Sequence, residues 1–86
     1  MSQTADCKSM LISAEQRNNS WGEKLITLNI VLETMEIFLD CDSIVEILEE
    51  VKAYYSRDAF KEQDTKQRMI EYLDNKLGFY QFNENR

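Results

Sequence analysis

The sequence predicts an all-α fold: a small bundle of three or four helices containing an antiparallel helical hairpin. Three observations carry this expectation. The first is a run of apolar residues at Trp21, Leu25, Leu28, Leu32, Met35 and Leu39. Its alternating spacing of four and three lines up one face of a helix, because 3.6 residues make a turn. The second is punctuation. The chain of 86 residues has two glycines and no proline, too few for the turns of a sandwich or barrel. The third is a hydrophobic content of 43%, held alongside abundant helix formers such as Leu, Glu, Lys and Gln. A chain of this length makes one domain, spanning 1–86. Such a domain buries only roughly 60–65% of its unfolded surface, which leaves a small stability margin. Chains of this kind often gain stability by assembling, so a homodimer or higher oligomer is the natural extension of the bundle.

Residues 1–6 read as a frayed start. Cys7, Met10, Leu11 and Ala14 then recur at i, i+3, i+4, i+7 and predict a first helix over 7–17. Its alternative is an arm that orders on a partner. Thr4 or Asp6 suits its N-cap. Asn18 and Asn19 suit its stop, since asparagine tolerates the left-handed conformation of a C-terminal cap.

The central helix comes next, over 21–40. Ser20 and Glu23 form a capping box, in which each side chain satisfies the other residue's backbone amide. Beside the main seam, Val31 and Phe38 extend the apolar surface on one flank, Ile30 and Ile37 lie further round, and Ile26 adds to the other. A helix apolar over more than half its circumference needs cover on several sides. The seam of Trp21, Leu25, Leu28, Leu32, Met35 and Leu39 is therefore either the core of the bundle or the site of pairing with a second copy. Three heptads are short for an independent coiled coil. The stretch is also too short and too charged to span a membrane.

Asp40-Cys41-Asp42-Ser43 reads as a tight break that turns the chain into a hairpin. A second capping box, Ser43 to Glu46, opens the next helix, with Asp42 as the rival cap. Ile44, Ile47, Leu48, Val51, Tyr54 and Tyr55 form its apolar stripe. Residues 56–63 read as a loop or an exposed continuation. Asp64 with Gln67 resembles a further cap. Met69, Ile70, Leu73 and Leu77 mark a last helix, which Gly78 would end as its C-cap. Phe79, Tyr80 and Phe82 follow, either folding back on the bundle or offering an aromatic contact to a partner. Residues 83–86 read as a flexible tail.

The composition excludes several chemistries. There is no histidine, which removes the commonest general base and metal ligand and the Ser-His and Cys-His nucleophile pairs. Cys7 and Cys41 lack any zinc-site spacing. With no signal peptide visible, they read as free thiols in a reducing compartment, the cytoplasm. Asn18-Asn19-Ser20 matches a glycosylation acceptor, which has no meaning in that compartment. No phosphate-binding glycine loop exists. Asp40-Cys41-Asp42 starts like a calcium loop, but Ile44 stands where a third oxygen would fall. The expectation is a chain that is not an enzyme and holds no metal or cofactor.

Charge is the feature that rises above background. The net charge is −6, which disfavours direct binding to nucleic acid. Between Lys24 and Lys52 there is no base, while Glu33, Glu36, Asp40, Asp42, Glu46, Glu49 and Glu50 are all acidic. Glu33, Glu36 and Asp40 follow i, i+3, i+7. Asp42, Glu46, Glu49 and Glu50 follow i, i+4, i+7, i+8. A hairpin at 40–43 would bring the two rows together. They are either an ordinary solvated face or a docking surface for a basic protein. The latter describes an inhibitor or adaptor of the kind frequent among phage and mobile-element products, an association by class. The alternative is a self-assembling structural protein or chaperone built on the central seam. A third is a helical oligomer that sequesters a small ligand among Tyr54, Tyr55, Tyr72 and Tyr80.

Overall fold

The computed structural model describes residues 3–57 and 62–84, with side chains for 5–57 and 62–82. The chain forms four helices: α1 (Gln3–Gln16), α2 (Trp21–Phe38), α3 (Cys41–Tyr55) and α4 (Gln63–Glu84). No strand occurs among the described residues. The helices form two compact units, the first reaching Asp40 and the second starting at Cys41. Each is a helical hairpin, α1 with α2 and α3 with α4. The hairpins are thus centred on residues 17–20 and on the connection after Tyr55, whereas the sequence places the turn at Asp40–Ser43.

In the first unit the two helices run antiparallel: Cys7 and Met10 lie with Met35, Phe38 and Leu39, and Asn18 reaches Thr27. α1 begins earlier than the apolar spacing predicts, taking in Gln3–Asp6, which the sequence assigns to a frayed start; residues 1 and 2 of that start lie outside the described residues. Leu11 and Ala14 are buried, while Met10 is exposed. The predicted left-handed asparagine does not occur, since no described residue other than glycine has a positive φ. Asn18 ends α1 with its side chain instead, donating from Nδ2 to the carbonyl of Ala14 at 2.7 Å and to Thr27 Oγ1 at 3.2 Å. One of the carbonyls that a helix end leaves without an intrahelical donor is thereby satisfied.

α2 opens with the predicted capping box. Glu23 N donates to Ser20 Oγ at 3.2 Å, and Ser20 N donates to Glu23 Oε1 at 3.3 Å. Ser20 is extended, at φ −109° and ψ 156°. The helix ends at Phe38, and Leu39 leaves it in extended backbone. Asp40 therefore lies outside the helix. Of the seam, Leu28, Leu32 and Met35 are buried, Trp21 and Leu39 half-buried, and Leu25 is exposed at its edge.

In the second unit α3 begins at Cys41, two residues before the expected Ser43 cap. Ser43 and Asp42 sit inside the first turn, where an acid complements the positive end of the helix dipole. Asp40 stands ahead of that turn. Ile44, Ile47, Leu48, Val51 and Tyr55 are buried, with Tyr54 half-buried beside them. α4 starts at Gln63, so Asp64 is a first-turn residue rather than a cap, and it accepts from Arg68 Nε at 3.2 Å. The expected loop over 56–63 includes residues 58–61, which lie outside the described residues. Lys52 pairs with Asp74 at 2.6 Å across the hairpin.

Gly78 does not end α4. The helix continues through it to Glu84, so residues 83 and 84 of the expected flexible tail are helical, and 85 and 86 lie outside the described residues. The buried positions explain the continuation. Met69, Leu73, Leu77 and Tyr80 are all buried, at steps of four, four and three. Burying a tyrosine side chain outweighs the roughly 1 kcal/mol that a glycine costs inside a helix.

Candidate functional site

The acidic residues stand on outward faces. On α3, Asp42, Glu46, Glu49 and Glu50 are all exposed. They fall opposite the buried stripe of Ile44, Ile47, Leu48, Val51 and Tyr55, as their i, i+4, i+7, i+8 spacing requires. Among the described residues no base forms an ion pair with Asp42, Glu46 or Glu49. On α2, Glu33 and Glu36 are exposed. The expected third member, Asp40, is exposed too, but it follows the extended Leu39, so the helical row has two carboxylates. α3 thus bears the longer acidic face, and it is continuous within one helix.

α2 also carries an apolar face. Ile26, Ile30 and Ile37 are 62%, 56% and 75% exposed. With Glu33 they recur at i, i+4, i+7, i+11, on the side of α2 turned away from the buried Leu28, Val31 and Met35. The sequence places Ile30 and Ile37 beyond one flank of the main seam and Ile26 on the other; in the structure all three are more than half exposed.

The aromatic trio of α4 divides. Tyr80 is buried, and its ring meets Phe79 edge-on at 5.0 Å. Phe79 and Phe82 are exposed. The four tyrosines of the ligand reading also serve the fold. Tyr55 is buried and meets Tyr54 edge-on at 5.0 Å. The Arg57 guanidinium lies 5.4 Å from the Tyr54 ring, and the Lys76 ammonium 5.6 Å from that of Tyr72. Burial raises the Tyr72 hydroxyl pKa well above its ordinary value. In the first unit a small apolar cleft of about 170 Å³ is lined by Cys7, Met10, Met35, Phe38 and Leu39. A shallower one beside it runs along Ser13, Arg17, Asn18 and Thr27. No tyrosine lines either.

One buried polar arrangement escapes the sequence pattern. Lys24, which reads as an ordinary polar position of α2, is 9% exposed, and Glu15 of α1 is 6% exposed. Lys24 Nζ donates to Glu15 Oε2 at 2.8 Å and to the Glu15 backbone carbonyl. It also lies 5.7 Å from the centroid of the Trp21 ring. The ammonium neutralises a buried carboxylate and caps the negative end of α1 in one contact. A pairing of Glu15 with Lys24 leaves no mark in helical periodicity, because the partners lie on different helices.

Cys7 and Cys41 are free thiols, both half-buried. Burial, and then the neighbouring Asp6 carboxylate, raise the Cys7 pKa. Among the described residues no group of three or more Cys, Asp or Glu is placed to hold a metal ion. Among them, too, no helix is long and apolar enough to cross a membrane. No protein-family model matches the chain, and neither a curated protein nor a solved structure shows significant similarity to it.

Proposed function

We propose that this chain is a non-enzymatic protein-binding module, an inhibitor or adaptor of the phage or mobile-element type. It docks acidic helix faces on a basic surface of a larger protein. The observation that carries the proposal is the α3 face, where Asp42, Glu46, Glu49 and Glu50 are exposed together opposite the buried stripe. A row of carboxylates makes the local potential negative, steers a basic partner and makes association sensitive to salt. Where that partner surface normally holds nucleic acid, the carboxylates stand in for phosphates. The chain has no histidine, and burial raises the pKa of the Cys7 thiol, which makes that thiol a poor nucleophile. The two free thiols suit the reducing cytoplasm.

The test is capture of partners by the immobilised protein at low salt and at about 1 M salt, where the screening length falls to about 3 Å. The wild type is expected to retain a basic protein at low salt and release it at high salt. The variant carrying Glu46→Lys, Glu49→Lys and Glu50→Lys is expected to retain none while keeping its helicity. Unchanged capture by that variant would refute the proposal.

Self-assembly is the second reading, favoured by the exposed isoleucines of α2. It does not run through the central seam, because Leu28, Leu32 and Met35 are already buried in the chain itself. Substituting Leu32 would unfold the first unit rather than dissociate an oligomer.

A further inference from the structure

We infer that the groove between α1 and α2 is a binding site for an alkyl carboxylate, a fatty-acid-like molecule held with its head at Arg17 and its chain towards Met35. The site shares no residue with the acidic face of α3. It joins the two clefts of the first unit. On α1, Asp6, Met10, Ser13 and Arg17 recur at i, i+4, i+7, i+11, and each lines one cleft or both. On α2, Thr27, Val31, Thr34 and Phe38 repeat that spacing and line them from the other side. Each set is one stripe of its helix. The helices are antiparallel, so the two stripes are the walls of one groove. Met10 lines both clefts and marks where they meet. From Arg17 to Asp6 the α1 wall runs roughly 16 Å at 1.5 Å per residue. The clefts hold about 170 Å³ and about 350 Å³, together within the roughly 300–1,000 Å³ usual for small-molecule sites. Every lining residue belongs to the first unit.

The two ends differ in chemistry, and the difference selects both the ligand and its orientation. Cys7, Met10, Met35, Phe38 and Leu39 make one end apolar, suited to an alkyl chain that gains by leaving water. Ser13, Arg17, Asn18 and Thr27 make the other end polar. Two of these are engaged with the fold. Asn18 Nδ2 donates to the Ala14 carbonyl and to Thr27 Oγ1, and Thr27 Oγ1 donates to the Glu23 carbonyl. Arg17 is exposed, and its guanidinium forms no ion pair among the described residues. A guanidinium grips a carboxylate through two parallel hydrogen bonds. The Ser13 hydroxyl, one turn back on the same stripe, supplies a further donor. Asp6 stands at the far, apolar end, where a second carboxylate would be repelled. The head group therefore goes to Arg17 and the chain to the apolar end.

The probe is decanoate, titrated by calorimetry at concentrations where it is monomeric. Decanol, which has the same chain and no charge, is the control. Methyl NMR of the methionines places the ligand. The expected result is one decanoate per chain, with the Met10 and Met35 methyl signals shifted. Decanol should bind about tenfold more weakly, since it lacks the charge-assisted hydrogen bonds. Arg17→Gln, with its fold checked by circular dichroism, should weaken decanoate by about the same factor and leave decanol unchanged. Absence of decanoate binding by the wild type would overturn the inference. So would equal affinity for decanoate and decanol, a measurement that needs no variant. Wild-type affinity for decanoate in the Arg17→Gln variant, or shifts that spare Met10 and Met35, would overturn it as well.

Discussion

At the scale of single residues, Lys24 and Glu15 show how a buried charge is tolerated. The ammonium meets a carboxylate, a helix-end carbonyl and an aromatic ring, so neither charge is left without a partner. Removing one member leaves the other buried alone. Lys24→Met is expected to destabilise the protein by about 3 kcal/mol, read as a lower denaturation midpoint with an unchanged slope. Gly78 shows the reverse case. It lies inside α4 without a positive φ, and a Cβ added there meets nothing within 4 Å. Gly78→Ala is expected to stabilise by about 0.5–1 kcal/mol, since alanine loses less backbone entropy in a helix. Cys7 is expected to react with iodoacetamide at pH 8 more slowly than a free thiol, because its raised pKa keeps it protonated. A folded-state thiol pKa above the unfolded one means that the folded chain binds the proton more tightly. Its contribution to stability is therefore present below the unfolded pKa and is lost as pH rises towards the folded value.

At the scale of elements, the legible parts of the fold are those written in local spacing. The Ser20–Glu23 box and the core of α2 follow directly from residue type and period. The stripe of α3 does as well. Element ends were harder to read, since each is a competition between a local signal and packing. Gly78 reads as a stop, yet the step from Leu77 to Tyr80 continues the buried stripe and prevails. Ser43 reads as a cap, yet α3 already begins at Cys41, with Asp42 in its first turn. Asn18 ends α1 as expected but through its amide and not its backbone. Helix pairing was not legible at all: short connections follow both α1 and α2, and apolar periodicity does not say which neighbour a face meets. The acidic face of α3 was visible in the sequence because its residues share one helix. The corresponding row on α2 lost Asp40 to the extended Leu39.

At the scale of the whole molecule, 16 acids against 10 bases set the net charge at −6, and position matters more than the total. The bases that bear on the fold are engaged: Lys24 with Glu15, Lys52 with Asp74 and Arg68 with Asp64. The acids from Glu33 to Glu50 face outward with no base between them in sequence. Since the chain has no histidine, no side chain with an ordinary pKa between 5 and 8 changes that balance. Docking through these faces should then respond to salt far more than to pH near neutrality. The most direct test is the capture experiment with wild type and the Glu46→Lys, Glu49→Lys, Glu50→Lys variant side by side. A basic protein held by the wild type at low salt, released at about 1 M salt and ignored by the variant is the predicted result. Retention of the same protein by both, at either salt, would contradict acidic docking.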